Sequence, residues 1–316
     1  MSERGKAWLE HFSTDEIREL RAIRDHRAWL TLVVNYGLIA ASMALVAYAP
    51  NVLTIVLALC IIGTRQLGLA VLMHESSHYT LFKNRKLNDF VGTWLAGYPI
   101  YLSAEMYRAH HIEHHAKTWT DEDPDLSLAA GFPVTKASMT RKVMRDLLGV
   151  TGLKQLIGTT YLVIKVVRGE RVDSGTLPLR LERGPAIRMV IGTLTTNLIL
   201  FGVLWALGHP MLYLLWFGAW MTTNKLVARI RSIAEHAVVP DPTDPMGQTR
   251  TVRAGWLARL LIAPNLVQYH LEHHLLMTVP HYSLPKFHEM LRERGLLKDA
   301  CIADNYTQVL RLAVVG

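Results

Sequence analysis

The sequence predicts an all-α integral membrane protein: four transmembrane helices in two hairpins, with a cytoplasmic helical domain that holds a histidine-rich metal site. Two uncharged apolar runs, residues 28–64 and 189–224, predict the hairpins, because each is too long for one span of about 20 residues. Each run is interrupted by a turn sequence, Ala49-Pro50-Asn51 in the first and Gly208-His209-Pro210 in the second. Histidine clusters at helical spacing predict the metal site.

Lysine and arginine residues predict the orientation of the hairpins. Neither turn carries one, whereas basic residues flank the opposite ends of the runs: Arg18, Arg21, Arg24, Arg27, Lys83, Arg85, Lys86, Arg183, Arg188, Lys225, Arg229 and Arg231. By the positive-inside tendency, both termini and every histidine cluster are expected on the cytoplasmic side. The net charge of +8 then reflects contact with anionic headgroups, and no nucleic-acid-binding module is expected.

The chain is expected to form a single domain, 1–316, of five consecutive segments. They are a cytoplasmic amphipathic helix (1–27), the first hairpin (28–73), a cytoplasmic and interfacial segment (74–188), the second hairpin (189–224) and a cytoplasmic segment (225–316). Residues 90–103 are too short to span a bilayer and are expected to be interfacial or re-entrant. The apolar patch 156–167 is broken by Lys165, so we expect it to lie on the membrane surface.

The first 27 residues are polar and charged, and they do not have the pattern of a cleavable signal peptide. The sequence Ser13-Thr14-Asp15-Glu16 predicts the start of a helix. The two cysteines are not expected to form a disulfide, because Cys60 lies within a predicted span and Cys301 in the cytoplasmic tail.

Three histidine clusters carry the chemistry of the sequence. The pattern His-x-x-His-His occurs at 111–115 and again at 270–274, and His74 and His78 are four residues apart. Positions i, i+3 and i+4 of a helix share one face, so each cluster can direct its imidazoles toward a single point. Eight clustered histidines exceed the four to six nitrogen ligands of one ion, so two ions are predicted.

In these motifs the chain resembles the membrane fatty acid desaturase and hydroxylase superfamily, the histidine-box di-iron enzymes. The three boxes correspond to residues 74–78, 108–115 and 268–274, and the loop 118–125 resembles the segment after box two in many members. The resemblance implies two iron ions, O₂ as co-substrate, a lipid or fatty acyl substrate in the bilayer, and electrons from a separate donor of the ferredoxin, rubredoxin or cytochrome type. Two cysteines cannot hold a four-thiolate iron–sulfur cluster, which fits a separate donor.

The resemblance also implies one ligand outside the boxes, on the helix after the second hairpin, and His236 fits that place. The predicted metal ligands are His74, His78, His111, His114, His115, His236, His270, His273 and His274. In some members an asparagine four residues before the extra histidine contacts an ion through water. Ser232 occupies that position here, and Asn265 is a candidate substitute. His110 is expected beside the ligands rather than among them.

Several carboxylates adjoin the predicted ligands. Glu75, Glu113, Glu235 and Glu272 fall off the ligand faces of their helices. Each either orients an imidazole of a neighbouring helix by accepting its second N–H, or forms a salt bridge to Arg108, Arg229 or Arg231. Asp121, Asp123 and Asp125 are candidates for the same orienting role or for helix capping. The isolated histidines His11, His26, His209, His281 and His288 are expected to be ordinary surface or core residues.

The predicted reaction is O₂-dependent attack on an unactivated C–H bond of a fatty acyl or lipid substrate, which introduces a double bond. The di-iron centre itself is expected to be catalytic, with no separate acid or base. Aromatic residues at the depth of the metal site either line a substrate tunnel or anchor the chain at the interface: Trp94, Tyr98, Tyr101, Tyr107, Trp256 and Tyr269.

The sequence leaves alternatives open. A hydroxylase, a ketolase or an oxidative decarboxylase would use the same scaffold. An intramembrane zinc metalloprotease is suggested by His74-Glu75-x-x-His78, but that pattern gives no role to the other two clusters. A non-catalytic metal carrier predicts no dependence on O₂. The sequence does not define the oligomeric state of the protein, the chain length of the substrate or the carrier to which the substrate is attached.

Overall fold

The computed structural model describes residues 8–170 and 182–316, which are mostly helical. The helices are α1 (Thr14–Leu20), α2 (Asp25–Tyr48), α3 (Val52–Ser77), α4 (Arg85–Phe90), α5 (Ala104–Lys117), α6 (Leu126–Ala129), α7 (Lys136–Leu147), α8 (Val150–Val167), α9 (Arg183–Ala206), α10 (Tyr213–Met221), α11 (Thr223–His236), α12 (Trp256–Leu261), α13 (His270–Leu275), α14 (Leu284–Glu293) and α15 (Tyr306–Leu312). The beginning of the predicted segment 1–27 and residues 171–181 of the segment 74–188 lie outside the described residues.

Short elements complete the fold. A π-helical stretch, Val91–Gly97, continues into a 3-10 turn, Tyr98–Ile100, and further 3-10 turns lie at Pro210–Leu212, Pro264–Leu266 and His281–Ser283. The strands β1 (Val134–Thr135), β2 (Thr251–Val252), β3 (Ile302–Ala303) and β4 (Val314–Val315) have two residues each. They pair in parallel, β1 with β4 and β2 with β3, and so tie the C-terminal segment to the rest of the chain.

Four helical segments in the described ranges are long and apolar enough to cross a membrane. They are Thr14–Tyr48, which contains α2, together with α3, α8 and α9. Between α2 and α3, Asn51 caps α3 by accepting a hydrogen bond from the backbone N–H of Thr54 at 3.1 Å. Large apolar side chains such as Val33 on α2 and Leu198 on α9 are more than 60% exposed, as expected for lipid-facing residues.

The second predicted hairpin is matched only in its first leg, α9. Its return leg is divided, because α10 has nine residues and is too short to cross a bilayer alone. The chain breaks at Thr222, whose hydroxyl donates back to Gly218 O at 2.6 Å, and α11 then starts in a new direction. The fourth helix that is long and apolar enough to cross a membrane is instead α8, which we expected on the membrane surface.

α3 is the central helix of the fold and packs against α2, α10 and α11. Its second half is almost entirely buried, and the side chains of Thr64, Arg65 and Gln66 donate hydrogen bonds to backbone carbonyl groups. Arg65 donates to Arg259 O and Leu260 O at 3.1 and 2.9 Å, which fits an exit from the lipid near this residue. A Cβ on Gly63 would lie 2.7 Å from the backbone nitrogen of Asn224, so glycine is needed for α11 to begin this close to α3.

The N-terminal helix packs on the C-terminal part of the chain. Ser13 and Glu16 form the capping box of α1, at the start that the sequence predicts. Glu16 and Glu19 form ion pairs with Arg294 and Lys286 of the α14 region, each at 2.5 Å.

Candidate metal centre

All nine predicted ligand histidines converge on one region at the C-terminal end of α3. His74 lies in the last turn of α3 and His78 is its C-cap. α5 carries His111, His114 and His115; α11 ends at His236; and α13 carries His270, His273 and His274. Four helices that are far apart in sequence therefore each present imidazoles to the same space. These imidazoles form two adjoining groups.

The first group contains five imidazoles, those of His74, His78, His111, His115 and His273. Their nearest nitrogen atoms all lie within 4.8 Å of one another. Nε2 of His115 is 3.0 Å from Nε2 of both His111 and His273. Two nitrogens bound to one transition metal at about 2.1 Å, with their bonds at right angles, also lie about 3 Å apart. The spacing therefore fits a common metal ion.

The second group consists of His114, His236, His270 and His274. Ligand nitrogens of His114, His236 and His274 lie within 4.8 Å of one another. Nε2 of His270 is 2.8 Å from that of His236, and these two also form a possible ligand set with Glu235. This spacing again fits ligands of one ion.

Orphaned nitrogen atoms support metal binding in both groups. Nε2 of His74, His78 and His274 is buried and has no hydrogen-bond partner within the described part of the chain. Buried polar atoms without partners are rare in native proteins, because each one costs desolvation free energy. A metal ion would satisfy all three atoms.

Burial favours the neutral form of six of these imidazoles. It lowers the pKa well below the usual imidazole value, and neighbouring histidines lower it further, for His111, His115, His236, His270, His273 and His274. Since only a neutral imidazole has a lone pair for a metal, the ligand forms are available at neutral pH.

Two aspartates of the loop after α5 orient histidines. Asp123 Oδ1 accepts a hydrogen bond from Nδ1 of His114 at 2.8 Å, and both side chains are buried. The Asp123 carboxylate also accepts from the backbone N–H groups of Trp119 and Asp125, both at 2.9 Å. This fixes the proton of His114 on Nδ1 and leaves Nε2 free for the centre. His110, beside the ligands, binds Asp125 at 2.9 Å.

Two of the four glutamates contact histidines that we expected to be ordinary. Glu75 Oε2 accepts from the backbone N–H of His281 at 2.8 Å and lies 3.3 Å from its Nδ1. Glu272 contacts Nδ1 of His288 at 2.5 Å. His281 is buried and His288 is half-buried, as the expectation of surface or core positions allows, and each contacts a glutamate beside a predicted ligand. They come from segments after box three, and no spacing in the sequence signals the two contacts.

The other two glutamates form ion pairs. Glu235 forms the predicted ion pair with Arg231 at 2.6 Å, and its other carboxylate oxygen lies 3.6 Å from Nε2 of His270, too far for a hydrogen bond. Glu113 binds Lys117 at 2.9 Å. The expected arginine partners Arg108 and Arg229 instead pair with Asp89 and Asp146, each at 2.5 Å. Asp121 is exposed on the loop surface.

The geometry around Glu75 opposes the protease alternative. A metalloprotease requires this carboxylate to approach the metal-bound water as a general base. Here Glu75 is 2% exposed and its Oε2 is engaged by His281 and by the Thr80 hydroxyl at 3.1 Å. His74 and His78 also belong to a group of five imidazoles, not to a three-ligand zinc site.

The two candidate water-mediated contacts differ in position. The Asn265 amide donates to Gly68 O at 2.7 Å, and its Oδ1 accepts from Asn35 at 2.9 Å. Its side chain thus ties its loop to α2 and α3, which does not support the metal-directed role. Ser232 lines the cavity beside the histidines.

Two cavities meet next to the centre. The first, of about 280 Å³, is lined by five of the histidines and by apolar residues such as Leu67, Ala70 and Ile100. The second, of about 310 Å³, lies between α8 and α9 and is mainly apolar. Gln155 and Trp220 line both cavities, so the two cavities adjoin at these side chains.

The six aromatic tunnel candidates are divided by the structure. Tyr107 lines the first cavity, with its hydroxyl 3.1 Å from Nδ1 of His111, and Tyr101 lines the second. The other four line neither cavity. Trp94 is partly exposed and packs edge-on against Tyr98, which is buried beside Met189. Trp256 is 77% exposed, and Tyr269 borders a separate space of only about 20 Å³. Trp220 at the junction was not foreseen, because nothing in its local sequence distinguishes it from the other apolar residues of α10.

The chain is similar in sequence to known desaturases. The chain matches the sequence profile of the fatty acid desaturase family over residues 50–306. It is 26% identical to a dihydrorhizobitoxine desaturase of Bradyrhizobium elkanii over 77% of this chain and 70% of that protein. It is 25% identical to a chloroplastic omega-6 fatty acid desaturase of Arabidopsis thaliana (90% and 61%) and 24% identical to an sn-1 acyl-lipid omega-3 desaturase (ferredoxin) of Nostoc sp. (73% and 65%). These matches span less than two thirds of the latter two proteins.

Proposed function

Because this chain belongs to the fatty acid desaturase family, we propose that it is a membrane di-iron enzyme that uses O₂ to introduce a double bond into an aliphatic chain. The observation that carries the proposal is the convergence of nine imidazoles from four helices into two adjoining groups. The family accounts for a desaturase-type oxidoreductase. The proposal adds that the metal is iron, that the oxidant comes from O₂ and that the product carries a new double bond.

The two groups of imidazoles support one assignment of the ligands. One iron would be held by His74, His78, His111, His115 and His273, and the other by His114, His236, His270 and His274. When bound, the iron pair supplies the O₂-derived oxidant that removes hydrogen from an unactivated methylene group. Overall, the substrate loses two hydrogens, a donor supplies two electrons and two protons are taken up, and O₂ leaves as two water molecules.

The chain's own residues position the substrate and keep the centre dry. Leu67, Ala70 and Ile100 line the first cavity on the side of α3 and the 98–100 turn, and they can hold a methylene chain next to His74 and His111. Burial of the surrounding side chains keeps bulk water away from the reacting carbon. Hydrogen bonds from His114 to Asp123 and from His110 to Asp125 hold the α5 imidazoles in fixed orientations.

The electrons come from a separate donor of the ferredoxin, rubredoxin or cytochrome type. The name of the Nostoc relative includes ferredoxin, which supports the first of these. The chain acts as a single membrane domain, 1–316, with the centre and both termini on the cytoplasmic side, as the distribution of basic residues predicts.

The test is expression in a host of known lipid content, followed by mass spectrometry of its fatty acids and by metal analysis of the purified protein. We expect about two irons per chain and a product two hydrogens lighter than its precursor, formed only with O₂. His273→Ala should abolish the product, whereas His209→Ala, at an exposed turn remote from the centre, should not. A product one oxygen heavier indicates a hydroxylase, and a product one carbon shorter a decarboxylase. Bound metal with no change in any lipid contradicts the proposal.

A further inference from the structure

The first cavity contains a buried lysine that the desaturase reaction does not explain. Lys225, near the start of α11, is 8% exposed and lines this cavity. Its Nζ lies 3.8 Å from the centroid of the Trp220 ring and 3.3 Å from Asn224 Oδ1. Within residues 8–170 and 182–316, no carboxylate is at ion-pair distance. Asp146, the acid that acts on it electrostatically, is bound by Arg229 at 2.5 and 2.8 Å.

An unpaired buried ammonium group is unfavourable. Burial removes the hydration of the charge, and neither the Trp220 ring nor the Asn224 amide replaces it with a full negative charge. Burial accordingly lowers the pKa of Lys225 to about 7. An anion that enters beside such a lysine stabilises its charged ammonium form.

The position of Lys225 relative to the metal centre is set by α11. One face of this helix lines the cavity along its length, at Lys225, Ala228, Arg231, Ser232, Glu235 and His236. Lys225 and His236 are eleven residues apart, which corresponds to about 16 Å along a helix. Arg231, between them, is already neutralised by Glu235 at 2.6 Å. The cavity thus has an uncompensated cation at one end and the imidazoles at the other.

We propose that Lys225 binds the free carboxylate of the substrate, so that the enzyme acts on an unesterified acid that lies in the cavity as a whole molecule. This inference rests on the proposed function and specifies its substrate class. A chain whose carboxyl group is esterified to a carrier has no carboxylate charge with which to neutralise this ammonium group. A carboxylate carries the single negative charge that one lysine can neutralise, whereas a phosphate monoester carries up to two.

The inference predicts how the enzyme selects the bond that it oxidises. If the carboxylate is held at Lys225, the distance from the carboxyl carbon to the metals is fixed by the length of α11 between Lys225 and His236. Across free acids of different length, the double bond should keep its position counted from the carboxyl carbon. If the enzyme held the methyl end instead, the double bond would keep its position counted from the methyl carbon.

The first experiment measures binding without turnover. Purified full-length protein with its metal bound, in detergent micelles and without reductant, is titrated by calorimetry with saturated acids of eight to eighteen carbons, their methyl esters, and the alkyl phosphates of the same lengths. The expected result is that the best acid binds roughly tenfold or more tightly than its ester and its phosphate analogue. Equal affinity for acid and ester, or preference for the phosphate, overturns the proposal, and this comparison in the native protein requires no variant.

The second experiment compares variants. Lys225→Met should bind the acid as weakly as the ester, and Lys225→Arg should retain part of the preference because it keeps the charge. The control is Lys154→Met, an exposed lysine of α8, which should behave as wild type. A Lys225→Met protein that binds the acid normally refutes the inference. If binding discriminates as expected but no double bond forms with O₂ and donor, the proposed reaction fails and the carboxylate site remains established.

Discussion

Replacing Asp123 by asparagine tests how the second group of histidines is held. Asp123 is 8% exposed, and its carboxylate accepts three hydrogen bonds, from His114 Nδ1 and from the backbone N–H groups of Trp119 and Asp125. An asparagine of the same shape has one acceptor oxygen and one donor NH₂ group. Whichever way the amide is turned, at least one of these donors then faces another donor.

The magnitude follows from that mismatch. If the amide oxygen keeps His114 and Asp125, the cost is one unsatisfied backbone N–H, about 1–3 kcal/mol of folding stability. If it keeps Trp119, His114 loses the acceptor that fixes its proton on Nδ1, and affinity for the metal ion of the second group falls about 10- to 100-fold. The ion of the first group, whose five imidazoles do not include His114, should be unaffected.

The assay is metal analysis of the purified variant during competition with an iron chelator. Asp123→Asn should release one of its two irons at a chelator concentration that leaves the wild type fully loaded, and desaturation should fall with the first iron lost. Asp121→Asn is the matched control, because Asp121 is an exposed residue of the same loop. Wild-type retention of both irons by Asp123→Asn would refute the role of this hydrogen bond.

Three further changes test other parts of the site. Glu272→Gln should destabilise the protein by about 1–3 kcal/mol. The reason is that the Glu272 carboxylate is fully buried and binds the Thr251 hydroxyl and Nδ1 of His288, both at 2.5 Å. Thermal unfolding measures the change, and an unchanged stability would contradict this prediction. Ala70→Trp should fill the first cavity and abolish turnover while iron content stays at the wild-type value; loss of iron would show that the effect is not steric. Metal-free protein should lose stability as pH falls from 7.5 to 5.5. The buried histidines have lowered pKa values, so below about 6.5 the unfolded chain binds protons that the folded chain does not, and a pH-independent melting temperature would contradict that.

Local spacing in the sequence accounts for much of the site. Positions i, i+3 and i+4 put His111, His114 and His115 on one face of α5, and the structure has that face directed at the centre. What the spacing could not supply is the partner of each neighbouring carboxylate. Glu75 contacts His281, more than 200 residues away, and this contact depends on how the 281–283 turn packs against α3 rather than on any local pattern.

The sequence likewise predicts part of the fold and leaves the tertiary contacts undetermined. Apolar runs and breakers predict α2, α3 and α9, because hydropathy is a property of consecutive residues. The break at Thr222 is a tertiary feature. A Cβ on Gly152 of α8 would lie 2.6 Å from Met221 O, so α8 packs directly against the end of α10 where the chain turns. Neither this contact nor the second cavity that α8 forms with α9 can be derived from hydropathy.

The same break explains why α11 can act as a rigid spacer in the cavity. At its start, Asn224 donates to Gly63 O of α3 at 3.2 Å, and the missing side chain of Gly63 lets the two helices touch. At its end, Arg250 donates to Ala234 O and Ala237 O, both at 3.0 Å. Since both ends of α11 are fixed to other elements, the distance between Lys225 and His236 cannot adapt to the substrate. A substrate anchored at one end must therefore present the same carbon to the other, whatever its length.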